Sequence, residues 1–131
     1  MKLWQLWRLR CVARKKLNVG IGSIKESLDR FESVWKRAAR GERVTPEYRL
    51  TFSSLPQLLK ELTPARWALL EALRAEGKMT IYALAKHLGR DYKNVHTDVS
   101  RLMELDLIEK AKDDRVYVPW NVIAAELRLA A

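Results

Sequence analysis

The sequence of 131 residues predicts a mainly α-helical fold with a small β wing. Three observations lead to this prediction. Val95, Val99 and Leu102 recur four and three residues apart, the spacing of a helix with one buried face. Two apolar helical patterns precede this helix, and each begins at a threonine that can cap it. Alternating apolar residues follow the helix and predict two short strands.

Residues 63–119 thus give the order helix, extended link, helix, turn, helix and hairpin, which is typical of a winged helix-turn-helix. Thr63 followed by Pro64 starts the first helix, and Thr80 caps the second. Gly89 provides the positive φ that the turn needs. The segments "LIEKAK" and "RVYVP", on either side of Asp113 and Asp114, predict the hairpin.

Residues 23–62 predict an N-terminal helix, a strand over "EYRLTF" and a short helix. Ser23 and Glu26 form a capping box, and Gly41 suits the end of the helix. We expect residues 120–131 to form a C-terminal helix. The apolar residues of the first and last helices are the predicted dimer or partner interface: Ile24, Leu28, Phe31, Trp35, Val122, Ile123 and Leu127.

Residues 1–22 form a basic amphipathic arm in this prediction, with "NVGIG" as a break at its end. Three interpretations of "MKLWQLWRLRCVARKK" stay open: an arm that binds phosphates, a helix that seeks a surface, or an extension outside the folded domain.

Composition excludes several classes of protein. No apolar run approaches the roughly 20 residues of a membrane helix. The single cysteine, Cys11, cannot form an internal disulfide and fits a reducing cytosol, so we expect a cytoplasmic protein. With His87 and His96 as the two histidines, a classical zinc site is not expected, and we predict no metal and no cofactor.

The net charge of +9 suggests a polyanionic partner, but the charge is unevenly distributed. Residues 1–40 hold 11 Lys and Arg against 3 acidic residues, whereas residues 63–131 hold 11 against 10. The positions of individual cations therefore matter more than the total charge.

On the helix after Gly89, the face opposite Val95 carries hydrogen-bond donors. Arg and Lys can donate to guanine, Asn can pair with adenine, and Thr and Tyr can contact a methyl group or a phosphate. The predicted DNA-binding residues of this recognition helix are Arg90, Tyr92, Lys93, Asn94, His96, Thr97, Ser100 and Arg101. In the hairpin, Lys110, Lys112 and Arg115 are placed to contact the adjacent backbone or minor groove.

The stretch from Leu62 to Trp120 resembles small prokaryotic winged-helix transcriptional regulators, distantly similar to the MarR and ArsR proteins. The resemblance lies in "LTP", "RW", "LA", "GRDYKNVH", "DV" and "LDLIE". The usual "LGLIE" has a glycine where this chain has Asp106, which bears on the geometry of that turn. The resemblance implies that members like this one are antitoxin-like regulators encoded beside small toxins.

These observations predict a sequence-specific regulator that binds double-stranded DNA, acting as a homodimer that represses its own operon. One recognition helix reads few base pairs, and two-fold pairing doubles the contacts. The alternative is an antitoxin or interaction module that neutralises a small toxin. We do not expect an enzyme, since the sequence has no phosphate-binding glycine loop and no nucleophile–base arrangement.

Overall fold

A computed structural model describes residues 16–44 and 47–127 of the chain. Two compact units account for these residues. Residues 62–121 form the helix–hairpin unit, and residues 16–61 together with 122–127 form the sheet unit. The elements in chain order are β1 (Lys16–Ile21), α1 (Ile24–Ala39), β2 (Tyr48–Phe52), α2 (Leu55–Glu61), α3 (Pro64–Glu76), α4 (Ile81–Leu88), α5 (Tyr92–Glu104), β3 (Glu109–Lys110), β4 (Val116–Tyr117) and β5 (Val122–Glu126).

In the sheet unit, three parallel strands lie in the order β2-β1-β5. β1 is the central strand, and its Leu17 lies opposite Tyr48 on one side and Ile123 on the other. Leu17 and Val19 point to one face of the sheet and are buried, as the two-residue period of a strand requires. α1 connects β1 to β2. Two parallel neighbouring strands need such a crossover connection, which is usually a helix.

Two sequence predictions fail in the sheet unit. "NVGIG" does not interrupt the chain, because its first four residues belong to β1, and the strand therefore begins within the predicted arm of residues 1–22. The predicted C-terminal helix of residues 120–131 is also wrong where the structure describes it, because residues 122–126 form β5. Pairing with β1 outweighs the helix preference of "AAEL", and the branched Val122 and Ile123 suit a strand. Residues 1–15 lie outside the described residues.

The predicted helix starts are confirmed by their hydrogen bonds. The side-chain oxygens of Ser23, Thr63 and Thr80 accept from backbone N–H groups three residues later, at 3.1–3.2 Å. Gly89 ends α4 in the left-handed conformation, with φ +64°, and Gly41 follows α1 with φ +82°. The strand over "EYRLTF" and the short helix after it are also present, as β2 and α2.

The predicted hairpin is present as β3 and β4, which pair in antiparallel fashion. Its turn places Asp114 in the left-handed conformation, and Asp114 N–H donates to Ala111 O at 3.2 Å. This is a three-residue loop closed by a left-handed residue, in which Asp tolerates a position that often holds glycine. The extended link before α4 pairs with β4, because Met79 and Val116 exchange backbone hydrogen bonds of 3.1 and 2.8 Å.

The core of the helix–hairpin unit joins all three helices to the hairpin. Its fully buried side chains are Leu69, Leu73, Leu84, Val95, Val99, Leu102, Leu107, Ile108 and Val116. Over the described ranges the structure records no buried polar or charged residue.

Among the helices that the structure describes, none combines the length and the apolar character needed to cross a bilayer.

Candidate functional site

The orientation of α5 agrees with the sequence prediction. Val95, Val99 and Leu102 are completely buried, and they fix the helix against the core. The opposite face therefore points away from the unit. Four of the predicted contact residues on this face are exposed: Lys93, Asn94, His96 and Thr97. The hydroxyl of Thr97 donates to Lys93 O at 3.0 Å, which leaves its methyl group on the surface.

The second half of the polar face is less exposed than the sequence pattern predicts. Ser100 and Arg101 are only half-exposed. Arg101 forms an ion pair with Glu104, with 2.7 Å between Nη1 and Oε2. This pair directs the Arg101 guanidinium along the helix, so the exposed donor surface is concentrated in the first two turns of α5.

Arg90 takes part in an ion-pair cluster. Asp98 accepts from Arg90 Nη2 at 2.8 Å and from Arg66 Nε at 3.1 Å. The Asp98 side chain is 16% exposed, so the cluster joins α3, the α4–α5 turn and α5 in a partly buried position. Arg90 Nη1 is buried, and no partner for it is found among the described residues. Arg90 thus holds the start of α5 in place, a structural role that the sequence prediction did not include.

An aromatic and basic surface adjoins the start of α5. The ring of Tyr92 lies between Tyr82 and His96, with centroids 6.4 and 5.9 Å away. The Lys86 ammonium lies 4.9 Å from the centre of the Tyr82 ring. Both tyrosines are about half-exposed. The sequence prediction omitted Tyr82 and Lys86. Their four-residue spacing on the polar side of α4 was the available signal.

The cations of the hairpin are largely paired with its own acidic residues. Arg115 Nε lies 2.7 Å from Asp113 Oδ2, and Lys110 Nζ lies 3.2 Å from Asp114 Oδ1. The hydrogen bond from Arg115 lowers the pKa of the Asp113 carboxyl from 3.8. Lys112 at the tip is exposed, and the described residues give it no ion pair.

The base of the hairpin is held by Tyr117. Its hydroxyl donates to Glu109 Oε2 at 2.7 Å, and this hydrogen bond raises the pKa of Tyr117 above 10.0. The Lys78 ammonium lies 5.3 Å from the centre of the same ring. These contacts fasten the link before α4 to the hairpin strands.

The predicted interface residues are all in the sheet unit. In α1, Ile24, Leu28, Phe31 and Trp35 are 61–82% exposed, and the helix has no buried residue. Val122 and Leu127 are about half-exposed, and Ile123 is intermediate. The last three lie on or just after a strand, not on the helix that the sequence predicted.

Within residues 16–44 and 47–127, no group of three His, Cys, Asp or Glu side chains converges as metal ligands would. An open groove of about 480 Å³ lies in the sheet unit beside Gly22, Ile24, Leu28 and Thr51. Its lining has no charged side chain that would bind an anion.

Comparison with known proteins gives one similarity. A family model described as HVO_A0114 matches residues 61–125, just under half of the chain. Neither the curated proteins nor the solved structures include a match. The matched residues cover the whole helix–hairpin unit and most of β5, so the chain is similar to the HVO_A0114 family over the part that carries α5 and the hairpin.

Proposed function

We propose that the helix–hairpin unit is a winged helix-turn-helix that binds double-stranded DNA. α5 lies in the major groove, and the β3–β4 hairpin contacts the adjacent backbone. The observation that carries the proposal is the complete burial of Val95, Val99 and Leu102. This burial leaves Lys93, Asn94, His96 and Thr97 exposed in the first two turns of the helix.

The exposed residues have the chemistry that base recognition needs. Lys93 can donate to guanine O6 and N7, Asn94 can form two hydrogen bonds with adenine, and the methyl group of Thr97 can contact thymine. They are held on a helix anchored by three buried side chains, so little ordering accompanies binding. Tyr92 and Lys86 adjoin this surface and are suited to phosphate contacts.

The hairpin contributes differently from the sequence prediction. Arg115 and Lys110 are paired with Asp113 and Asp114, and contact with phosphate requires that these exposed pairs exchange partners. Exposed ion pairs of this kind contribute little to stability, so the exchange costs little. Lys112 needs no exchange.

We further propose that the protein is a transcriptional regulator that represses its own operon as a homodimer. A single α5 contacts only a few base pairs, whereas two copies on a palindromic site double the specific contacts. An interaction module that neutralises a small protein toxin is the second candidate. The exposed apolar residues of α1 favour it, because they offer a surface for a protein partner.

Fluorescence anisotropy with the duplex just upstream of the coding region tests the proposal. Lys93→Ala should weaken binding by about tenfold, because a base or phosphate contact contributes about 1–3 kcal/mol. Lys60→Ala is the matched control, since Lys60 is exposed on α2 and should leave binding unchanged. Losing Arg115 should reduce the slope of log K against log salt by about one unit. Equal binding by the wild type, the Lys93 variant and the control contradicts the proposal.

A further inference from the structure

The apolar surface of α1 is left uncovered by the other residues that the structure describes. Ile24 is 82% exposed, Leu28 61%, and Phe31 and Trp35 66% each. The partly buried side of the helix carries Arg30 and Val34, about a quarter turn away. We refer to Ile24, Leu28, Phe31 and Trp35 as the α1 stripe. Four large apolar side chains in one exposed row are unusual for a chain that works alone.

The spacing of the α1 stripe is that of a helix–helix seam. Its members follow one another at intervals of four, three and four residues, and Ala38 continues the row three residues later. This alternation is the a/d repeat that places side chains of one helix between those of another. A stripe meant to cover the sheet would face the side of Arg30 and Val34.

The charges along α1 favour a second copy in antiparallel orientation. The first half of the helix, residues 24–32, has three acidic and two basic residues. The second half, residues 33–40, has three basic residues and no acidic one. Antiparallel pairing places the acidic half of one copy against the basic half of the other, whereas parallel pairing opposes like charges.

A specific flanking pair fits the same orientation. Lys25 and Glu32 lie on the same side of the α1 stripe, at about 100° and 80° from Ile24 around the helix. When Leu28 of one copy faces Phe31 of the other, Lys25 comes beside Glu32 of the second copy, and symmetry repeats the contact. Glu32 holds Lys36 at 2.9 Å in an exposed pair that need not be broken for this contact.

We propose that the α1 stripe pairs in antiparallel orientation with the α1 stripe of a second copy of this chain. In this arrangement Ile24 faces Trp35 of the second copy, and the groove beside Ile24 and Leu28 gives the indole room. Two stripes of this size bury on the order of 1,000 Å² in total, which is the size of weak interfaces. The dimer should therefore dissociate in the micromolar range. Its use in reading a two-fold operator rests on the proposed function, but its existence does not.

Sedimentation velocity without DNA tests the pairing, and charge reversal tests its orientation. The wild type should change from monomer to dimer across the micromolar range. Lys25→Glu alone and Glu32→Lys alone should each raise the dissociation constant about tenfold, because both symmetric contacts become repulsive. An equimolar mixture of the two variants should recover dimerisation, since every contact between unlike copies is then attractive. Lys60→Glu is the control, because Lys60 is exposed on α2 and is not among the charges of α1.

The outcomes separate this inference from the proposed function. A wild type that stays monomeric overturns the pairing, whether or not it binds DNA. Failure of the mixture to recover the dimer overturns the antiparallel orientation. Phe31→Ser should abolish dimerisation, with an unchanged circular dichroism spectrum because α1 has no buried residue. A dimer that forms normally but does not bind DNA supports the pairing and contradicts the proposed function instead.

Discussion

Arg115 Nε lies 2.7 Å from Asp113 Oδ2, so the arginine of the hairpin is paired with the acidic residue two positions before it. Lys110 and Asp114 repeat the arrangement across the turn. The hairpin therefore has almost no net charge, although the chain carries +9. Apart from Lys112, the cations of the hairpin can contact a phosphate only by exchange with these acidic partners.

Removing the Asp113 charge should strengthen DNA binding. Asp113→Asn removes the carboxylate with which a phosphate competes for Arg115, so we expect about threefold tighter binding at low salt and an unchanged salt slope, because the number of phosphate contacts stays the same. Anisotropy titrations over a range of salt concentrations measure both. Glu47→Gln is the matched control, because Glu47 also holds an arginine two residues away, Arg49 at 2.8 Å. An equal gain in the control contradicts a local role for the hairpin.

The same pair predicts the titration of Asp113. Its pKa is lowered from 3.8 mainly by the hydrogen bond from Arg115. A depressed carboxyl pKa means that the pair stabilises the hairpin above the unfolded pKa and that this contribution is lost as the pH falls through the folded pKa. Carboxyl carbon chemical shifts should give a value below 3.8, and Arg115→Ala should raise it. Identical values in the two proteins contradict the pairing.

Asp98 should contribute far more to the stability of the fold than an exposed acidic residue does. Asp98→Ala leaves the partly buried guanidinium groups of Arg66 and Arg90 without this carboxylate, and should lower the free energy of unfolding by about 3 kcal/mol. Glu104→Ala removes an exposed partner of Arg101 and should cost less than about 1 kcal/mol. Urea denaturation distinguishes the two variants. Similar losses of stability in the two variants would contradict the structural role of the Asp98 cluster.

The turn after α5 depends on the backbone conformation of Asp106. It occupies the left-handed region with φ +62°, and its carbonyl accepts from Trp120 Nε1 at 3.0 Å. Asp106→Gly should be about 1 kcal/mol more stable than Asp106→Ala, because glycine adopts this φ without strain. Both variants lose the carboxylate and keep the carbonyl, so their difference in thermal unfolding isolates the backbone. No difference would contradict the strained geometry.

The sequence predicted the helix–hairpin unit well because its signals are local. The threonine caps, Gly89 and the Val95–Val99–Leu102 spacing each determine a few neighbouring residues. Asp106 adopts a left-handed conformation that glycine adopts without strain, so the turn forms here with an aspartate. The ion-pair cluster around Asp98 was not predicted, because it joins Arg66 to Asp98, two positions 32 residues apart.

The sheet unit was predicted less well because its strands are defined by distant partners. β1 pairs with β5 more than 100 residues later, and nothing near "KLNVGI" or "VIAAE" signals that pairing. Parallel strands also lack the tight turn that marks a hairpin. The apolar residues of α1 were recognised from their spacing, but only the structure shows that the rest of residues 16–44 and 47–127 leaves them uncovered.

The most direct test of the account is nuclear magnetic resonance of the full chain titrated with a duplex selected from a random pool. The account predicts that the amide shifts change most over residues 92–97, with smaller changes over residues 110–115 and few in α1. An Asn94→Ala variant should lose the preference for adenine at one position of each half-site. Shift changes that spare residues 92–97, or a random pool in which no duplex is enriched, would contradict the claim that the exposed face of α5 reads DNA.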